Sequence, residues 1–104
     1  MDVLINTDSS VENTAALSEH VETSVRSALD RFSSKLTRVE VHLSDENSHK
    51  HGPEDKRCLI EARIAGRQPT AVTHHAPDID KAVSGALDKI KSALDTVFGK
   101  LATH

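Results

Sequence analysis

Strict alternation of apolar and polar side chains in two segments most constrains what this chain can fold into. Residues 37–44 and 56–65 place every second side chain on one face, and in each segment one face is apolar after its first residue, Thr37 or Lys56. A period of two is typical of β-strands that cover a core with one side. Such a face must be covered by a second layer. The sequence therefore predicts a sheet with one buried face and one face in water.

Two shorter segments complete the predicted set of strands. Residues 2–8 alternate, with Val3 and Ile5 on one face, and residues 69–74 form a fourth strand after a turn. Proline has no N–H group to donate to a neighbouring strand. Because Pro69 lies inside or beside the fourth strand, we expect that strand at an edge of the sheet.

Two amphipathic helices are predicted to form the covering layer. The first begins at Asn13, with Asn13 or Thr14 as its N-cap, and ends near Ser33. The second follows Asp78, whose side chain can cap it. The apolar stripe of the first helix comprises Leu17, Val21, Val25, Ala28, Leu29 and Phe32. The stripe of the second comprises Ile79, Val83, Ala86, Leu87, Ile90, Leu94, Val97 and Leu101.

The order of these elements, β-α-β-β-β-α, predicts the fold class. Helices with one apolar stripe and strands with one apolar face favour an α+β two-layer sandwich, in which both helices pack on one face of a four-stranded sheet. The 104 residues suit a single domain over residues 1–104. Because the chain has two Phe and neither Trp nor Tyr, its core must consist mainly of Val, Ile, Leu and Ala.

Several classes of protein find no support in the sequence. No run approaches the roughly 20 apolar residues that span a bilayer, and no apolar leader opens the chain. The single cysteine, Cys58, suits a reducing compartment, so we expect a cytoplasmic protein. Cys58 is on the inward face of its strand, where a thiol acts as a small apolar group. No motif for a catalytic nucleophile or a phosphate-binding glycine loop is present, so we expect no enzymatic activity, cofactor or small-molecule substrate.

The histidines leave a metal-binding module as an alternative. His49 and His51 lie in the polar segment of residues 45–55, and His74 and His75 follow the fourth strand. Neighbouring imidazoles can bind zinc or nickel. However, adjacent residues of a strand point to opposite faces, and no spacing typical of zinc sites is present. Solvated polar residues are the favoured interpretation, and no metal site is expected.

The basic residues taken alone predict a mixed, solvated surface. The formal net charge is −3 at pH 7, and the chain has seven histidines, whose protonation would bring the charge to +4. Acid should therefore tighten any association with RNA. On the second helix, Asp88 and Asp95 lie among the lysines. The candidate cations of the two helices are Arg26, Arg31, Lys35, Lys81, Lys89 and Lys91.

Both predicted helices carry segments that are similar to those of a known family. They are residues 13–21 (NTAALSEHV), residues 25–32 (VRSALDRF) and residues 77–90 (PDIDKAVSGALDKI). These segments resemble the first helix and the second-helix signature of the ribosome hibernation-promoting factor and ribosome-associated inhibitor family. Ala15 stands where that family typically has proline, and Phe32 where it has an aromatic residue. The residues of this chain that resemble the second-helix signature in type are Asp78, Ala82, Val83, Leu87, Asp88, Lys89 and Ile90.

The resemblance implies both a fold and a function. The fold would be similar to the double-stranded-RNA-binding domain. The protein would bind 16S-type rRNA of the small ribosomal subunit, in the channel used by messenger and transfer RNA. It would silence translation by occupation in stressed or stationary cells, without chemistry. Because the chain stops at His104, it resembles a short-type member without the C-terminal dimerisation domain, and we expect a monomer off the ribosome.

The resemblance also implies which cations bind rRNA. Lys89 matches the most characteristic lysine of the signature, and Lys91 stands one place from another basic position. Arg26 and Arg31 fall in the basic part of the first helix with a shift of about one residue. Lys35 and Lys81 complete the predicted set. The departures from the family pattern are Asp80, Ser92, Asp95 and Thr96.

A third hypothesis comes from the predicted edge strand. An exposed strand edge near Pro69 can pair with an extended segment of another protein. In that case RNA would be irrelevant to function. The sequence leaves this protein-interaction domain open beside the ribosome-binding and metal-binding alternatives.

Overall fold

Four strands form one mixed sheet in the computed structural model, which describes residues 1–46 and 55–102, with side chains through Gly99. In spatial order they are β1 (Asp2–Thr7), β2 (Leu36–Asp45), β3 (Lys56–Ile64) and β4 (Thr70–Ala76). β1 runs parallel to β2, and the other two pairs are antiparallel. Parallel strands need a long crossover connection. The first helix is part of that connection.

Two long helices and one short 3₁₀ helix complete the fold. They are α1 (Ala15–Ala28), the 3₁₀ helix (Asp30–Phe32) and α2 (Ile79–Ala102). The predicted extension of α1 to Ser33 is therefore wrong. The N–H of Phe32 bonds the carbonyl of Leu29 at 2.9 Å, three residues back, which is the tighter 3₁₀ pattern. Because residues three apart eclipse in that geometry, Leu29 and Phe32 both point into the core.

Side-chain caps fix where both long helices begin. The Oγ1 atom of Thr14 accepts a hydrogen bond from the backbone N–H of Leu17 at 3.1 Å. The carboxylate of Asp78 accepts one from the N–H of Lys81 at 2.8 Å. The first backbone N–H groups of a helix lack partners within the helix, so such caps stabilise its start. The predictions that Asn13 or Thr14 caps the first helix and Asp78 the second are confirmed, with Thr14 as the first cap.

The alternation that predicts the sheet is confirmed in its register. Val41 of β2 lies opposite Ile60 of β3, and Leu43 lies opposite Cys58. All four are buried, and their neighbours along each strand are more exposed. β4 lies at the edge of the sheet and begins one residue after Pro69, as that proline predicts. The strand runs to Ala76, two residues beyond its predicted end, and so includes both His74 and His75.

The core lies between the sheet and the two helices, as expected for an α+β two-layer sandwich. Among the described residues, every buried side chain is apolar. The rings of Phe32 and Phe98 stack with their centroids 5.7 Å apart, and this is the only contact between aromatic rings among the described residues. Burial of each large aliphatic side chain contributes roughly 1.5–3 kcal/mol. The largest fully buried side chains are Leu29, Leu43, Ile60, Ile90 and Leu94.

Candidate nucleic-acid interface

The six predicted cations do not form one patch, because the two sides of α2 differ in charge. Lys81 and Lys89 lie on the side of α2 that faces β4. Asp88 and Lys91 line the groove between α1 and α2. The surface facing β4 contains a depression without a carboxylate in its lining, although Asp78 and Asp80 lie beside Lys81 at the start of the helix. The surface facing α1 carries Asp80 and Asp88.

The lysines on the β4 side line a depression of about 420 Å³ between the edge strand and α2. We call it the β4–α2 cleft. It is lined by His74, His75, Ala76, Pro77, Lys81 and Lys89. Four of these side chains are cationic or can become so, and none is a carboxylate. Among the described residues, the cleft is thus where two predicted cations converge without an acidic wall.

The two lysines of the cleft differ in their partners. The Nζ atom of Lys89 donates a hydrogen bond to the backbone carbonyl of Thr73 on β4 at 2.9 Å. This contact holds the ammonium at the edge of the sheet. The Nζ atom of Lys81 lies 4.0 Å from Asp78 Oδ2, and 72% of its side chain is exposed. At that distance and exposure the ion pair is weak, so Lys81 keeps most of its capacity to contact an anion.

His74 and His75 point to opposite sides of β4, as predicted from the strand geometry. The ring of His74 packs against Gly85 of α2, on the covered face of the sheet. The Nε2 atom of His75 lies 3.2 Å from Glu46 Oε1. Their partners His49 and His51 in the metal-binding alternative lie outside the described residues. Within residues 1–46 and 55–99, no three His, Cys, Asp or Glu side chains are placed to hold a metal ion.

Arg31 and Lys35 form a second cationic area beside the stacked phenylalanines. Arg31 lies over the ring of Phe32, with Cζ 4.4 Å from the ring centroid. Lys35 lies over Phe98, with Nζ 4.7 Å from that centroid. Cations are attracted to the negative face of an aromatic ring. The two rings therefore place both cations at the surface around the 3₁₀ helix and the C-terminal half of α2.

Arg31 also binds Asp95 of α2 at two points. The distances are 2.7 Å from Nη1 to Oδ1 and 2.8 Å from Nη2 to Oδ2. The hydrogen bond that Arg31 donates to Asp95 raises the pKa of the guanidinium and lowers the pKa of the Asp95 carboxyl. An arginine has five N–H donors. Arg31 therefore keeps donors for another acceptor while Asp95 is bound.

Arg26 and Lys91 are the predicted cations with the least favourable surroundings. The Nε atom of Arg26 binds Glu22 Oε2 at 2.9 Å, and its Nη1 donates to the carbonyl of Met1 at 3.1 Å. The Nζ atom of Lys91 lies 3.7 Å from Asp88 Oδ1, in the groove that Asp80 also lines. A phosphate group approaching either cation would meet a carboxylate as well. Neither residue belongs to the two cationic areas above.

Sequence reasoning missed the arginines of the open face of the sheet. Arg38 of β2 and Arg63 of β3 are register partners, and both contact the carboxylate of Glu40, at 3.5 Å and 3.3 Å. Arg57 lies on the same face and contacts Glu46 at 3.1 Å. The alternation of the two long strands already assigns these side chains to the water face. Their proximity depends on the register, which the sequence does not show.

Cys58 behaves as the buried thiol that the sequence predicts. It is fully buried on β3, opposite Leu43. Burial raises the pKa of the Cys58 thiol to about 12, although the positive charge of Arg57 acts in the opposite direction. A thiol that stays protonated is a poor nucleophile. This residue therefore belongs to the core and adds nothing to the candidate interface.

Comparison with known proteins identifies what this chain is similar to. The family described as "Sigma 54 modulation protein / S30EA ribosomal protein" matches residues 5–102. No curated protein matches the sequence significantly. Along the described part of the chain, no helix is both long enough and apolar enough to cross a bilayer.

Two solved structures share the fold. The N-terminal domain of Protein Y from Thermus thermophilus is 21% identical, with a TM-score of 0.72 over 93% of this chain and 99% of that chain. A ribosomal subunit interface protein from Coxiella burnetii is 15% identical, with a TM-score of 0.73 over 95% of this chain and 99% of that chain. At these identities the likeness establishes the architecture of the sandwich.

Proposed function

The chain belongs to the Sigma 54 modulation protein / S30EA ribosomal protein family, and we propose that it silences translation by binding the small ribosomal subunit. Family membership gives a ribosome-associated role. The finer proposal is that the protein occupies the channel for messenger and transfer RNA on 16S-type rRNA, in the cytoplasm of stressed or stationary cells. Occupation of a channel requires no bond to be made or broken, so the protein acts as a factor and not as an enzyme.

The observation that supports this proposal most strongly is the β4–α2 cleft. RNA backbones are recognised largely through their phosphates, by lysines and arginines held on a rigid scaffold. Lys81 and Lys89 are held on one side of α2, and the cleft that they line has no carboxylate. Local charge decides such binding, so the net charge of −3 does not prevent it.

Arg31 and Lys35 are proposed as the second group of rRNA contacts. Lys35 has no carboxylate within ion-pair distance among the residues that the structure describes, and Arg31 retains donors beyond those that bind Asp95. Arg26 and Lys91 complete the proposed set, but their carboxylate neighbours reduce what each contributes. We therefore expect Lys81 and Lys89 to contribute most to rRNA binding, and Arg26 and Lys91 least.

The experiment that tests the proposal is co-sedimentation with purified small subunits at several salt concentrations. The double variant Lys81→Gln/Lys89→Gln should weaken binding and flatten the slope of log K against log salt by roughly 1.5–2 units. Arg67→Gln is the matched control, because Arg67 is an exposed cation in the turn after β3, away from the cleft. If the double variant binds as tightly as the unchanged protein, the assignment of these lysines is wrong. If the unchanged protein does not bind at all, the ribosomal proposal fails.

The edge-strand alternative has one structural observation against it. The outer edge of β4 is partly covered, since the Lys89 ammonium bonds the carbonyl of Thr73. A lysine at an edge strand is a common means of preventing strand addition. Pairing of a partner strand with β4 therefore remains a prediction, which a pull-down insensitive to ribonuclease and salt would support.

A further inference from the structure

His74 occupies a space that only a glycine in α2 leaves open. A Cβ atom built at Gly85 would lie 2.1 Å from Cδ2 and 2.2 Å from Nε2 of the His74 ring. Any other residue at position 85 would therefore push the ring out of its place. Glycine inside a helix lowers its stability relative to alanine. The packing of the imidazole on α2 explains why a glycine fits at this position.

The same helix row carries the two lysines of the β4–α2 cleft. Lys81, Gly85 and Lys89 are four residues apart, so they lie one above the other on one side of α2. With a rise of 1.5 Å per residue, the lysines are about 12 Å apart along the helix axis. The His74 ring lies over the glycine between them. Three basic side chains thus form a line along the cleft.

The carboxylates near this line do not themselves line the cleft. On β3 the register partner of His74 is Cys58, whose buried thiol remains neutral because its pKa is raised to about 12. His75 lines the cleft at the sheet edge, and its Nε2 atom lies 3.2 Å from Glu46 Oε1. The carboxylates beside Lys81 are Asp78, which lies 4.0 Å from its ammonium and caps α2, and Asp80, which lines a neighbouring depression with it. Asp88 lines the groove on the other side of the helix.

We propose that the β4–α2 cleft is a binding site for RNA backbone phosphates that tightens when His74 takes up a proton; this inference rests on the proposed function. The negative charge of a bound phosphate favours Lys81, Lys89 and the protonated form of His74 alike. Phosphate binding and proton uptake therefore favour each other. Histidine side chains change charge between pH 5 and 8, so acid strengthens RNA binding in that range.

The shape of the site favours an RNA strand over a free phosphate ion. Three basic side chains whose two lysines start about 12 Å apart along the helix axis can contact successive phosphates of one backbone. A single small anion would contact one end of the line only. The ligand is therefore the phosphodiester of a polynucleotide, and a free ion serves as the comparison in the test.

The test compares small-subunit affinity at pH 8 and pH 6, at constant ionic strength, for three proteins. The unchanged protein should bind about fivefold more tightly at pH 6. His74→Gln, which keeps a polar side chain but cannot be charged, should show little change between the two pH values. His42→Gln is the matched control, because His42 lies on the open face of the sheet beside Glu40. An unchanged pH effect in His74→Gln would refute the inference.

Gly85→Ala provides a second, independent variant. Alanine favours the helix, but its methyl group displaces the His74 ring from the cleft. We expect it to lose the pH effect as His74→Gln does, with circular dichroism showing an intact fold. A full pH effect in a folded Gly85→Ala protein would contradict the role of this packing.

A final measurement separates the ligand classes and the two proposals. The proton NMR titration of the His74 ring should shift to higher pH with a short oligoribonucleotide, and by much less with inorganic phosphate at equal charge concentration. An equal shift with both would mean that the cleft does not distinguish an RNA strand from a small anion, and would refute the assignment of RNA as its ligand. Small-subunit binding at pH 8 without any effect of His74 would leave the proposed function intact and refute only this inference. Absence of small-subunit binding at both pH values would refute the proposed function itself.

Discussion

Arg31 and Asp95, which are 64 residues apart in the sequence, form a two-point ion pair that joins the 3₁₀ helix to α2. The same guanidinium lies over Phe32, whose ring stacks on Phe98 of α2. The pair is solvent-exposed, with about half of each side chain accessible. Exposed ion pairs contribute little to stability. Its main effect is therefore on the charge that this area presents to an RNA backbone.

Replacement of Asp95 by asparagine should strengthen binding to the small subunit. Asp95→Asn removes a carboxylate from the second cationic area and releases Arg31 for phosphate contact. We expect about two- to fivefold tighter co-sedimentation and a slope of log K against log salt that is steeper by up to about one unit. Asp2→Asn, at an exposed position of β1, removes one charge elsewhere and should change affinity little. Equal gains in both variants would show that only net charge matters.

The same pair predicts a dependence of stability on acid. Because Arg31 lowers the pKa of Asp95, the folded state favours the ionised carboxylate. The contribution is fully present above the unfolded pKa, near 3.9, and is lost as the pH falls through the lower folded value. The unchanged protein should therefore melt slightly above Asp95→Asn at pH 6, and the two melting temperatures should converge towards pH 2. A difference that persists or grows at pH 2 would contradict this assignment.

The fold could be predicted because its signals are local and periodic. The alternation of β2 and β3 and the apolar stripes of both helices follow directly from which side chains are buried. The end of α1 could not be located in this way. An α-helix and a 3₁₀ helix both direct Leu29 and Phe32 to the core, so the apolar spacing does not distinguish them. Hydrogen bonding alone shows the change after Ala28.

The candidate site was only partly predictable because it depends on how elements pack. The sequence shows that Lys81, Gly85 and Lys89 share a helix face. It does not show that His74 lies over that glycine, because this requires the position of β4 against α2. The contact between Arg31 and Asp95 likewise depends on tertiary packing. For this reason the six predicted cations are found in two separate areas, apart from Arg26 and Lys91, which lie beside acids.

The N-cap of α1 should contribute measurably to stability. Thr14→Ala removes the hydroxyl that accepts the N–H of Leu17. Loss of a threonine cap costs about 0.5–2 kcal/mol. The free energy of unfolding, measured with urea, should fall by that amount. Thr23→Ala, at an exposed position within α1, should be neutral or slightly stabilising because alanine favours the helix. A neutral Thr14→Ala would mean that the cap is replaced by water or by Asn13.

The centre of the core should be sensitive to loss of volume. Ile60 on β3 is fully buried between the sheet and the helices. Truncation of such a side chain to alanine costs about 2–5 kcal/mol, because a cavity is added to the lost burial. Ile60→Ala should lower the urea midpoint accordingly, whereas Leu4→Ala should change it little, since Leu4 is 43% exposed. Similar losses in both variants would contradict the observed orientation of the sheet.

The buried thiol of Cys58 predicts a loss of stability in alkali. Its pKa is raised by burial to about 12 from an ordinary value of 9.0. The unfolded chain therefore releases this proton first, so the stabilising contribution is complete below pH 9 and is lost as the pH rises through 12. Cys58→Ala removes this proton and should show a smaller decline between pH 9 and pH 11, measured by urea unfolding at each pH. In the native protein at pH 8, a thiol reagent should react with Cys58 only as fast as the protein unfolds. Rapid labelling of the folded protein would show that the thiol is accessible. An equal decline in stability of the unchanged protein and of Cys58→Ala between pH 9 and pH 11 would assign the alkaline effect to other groups.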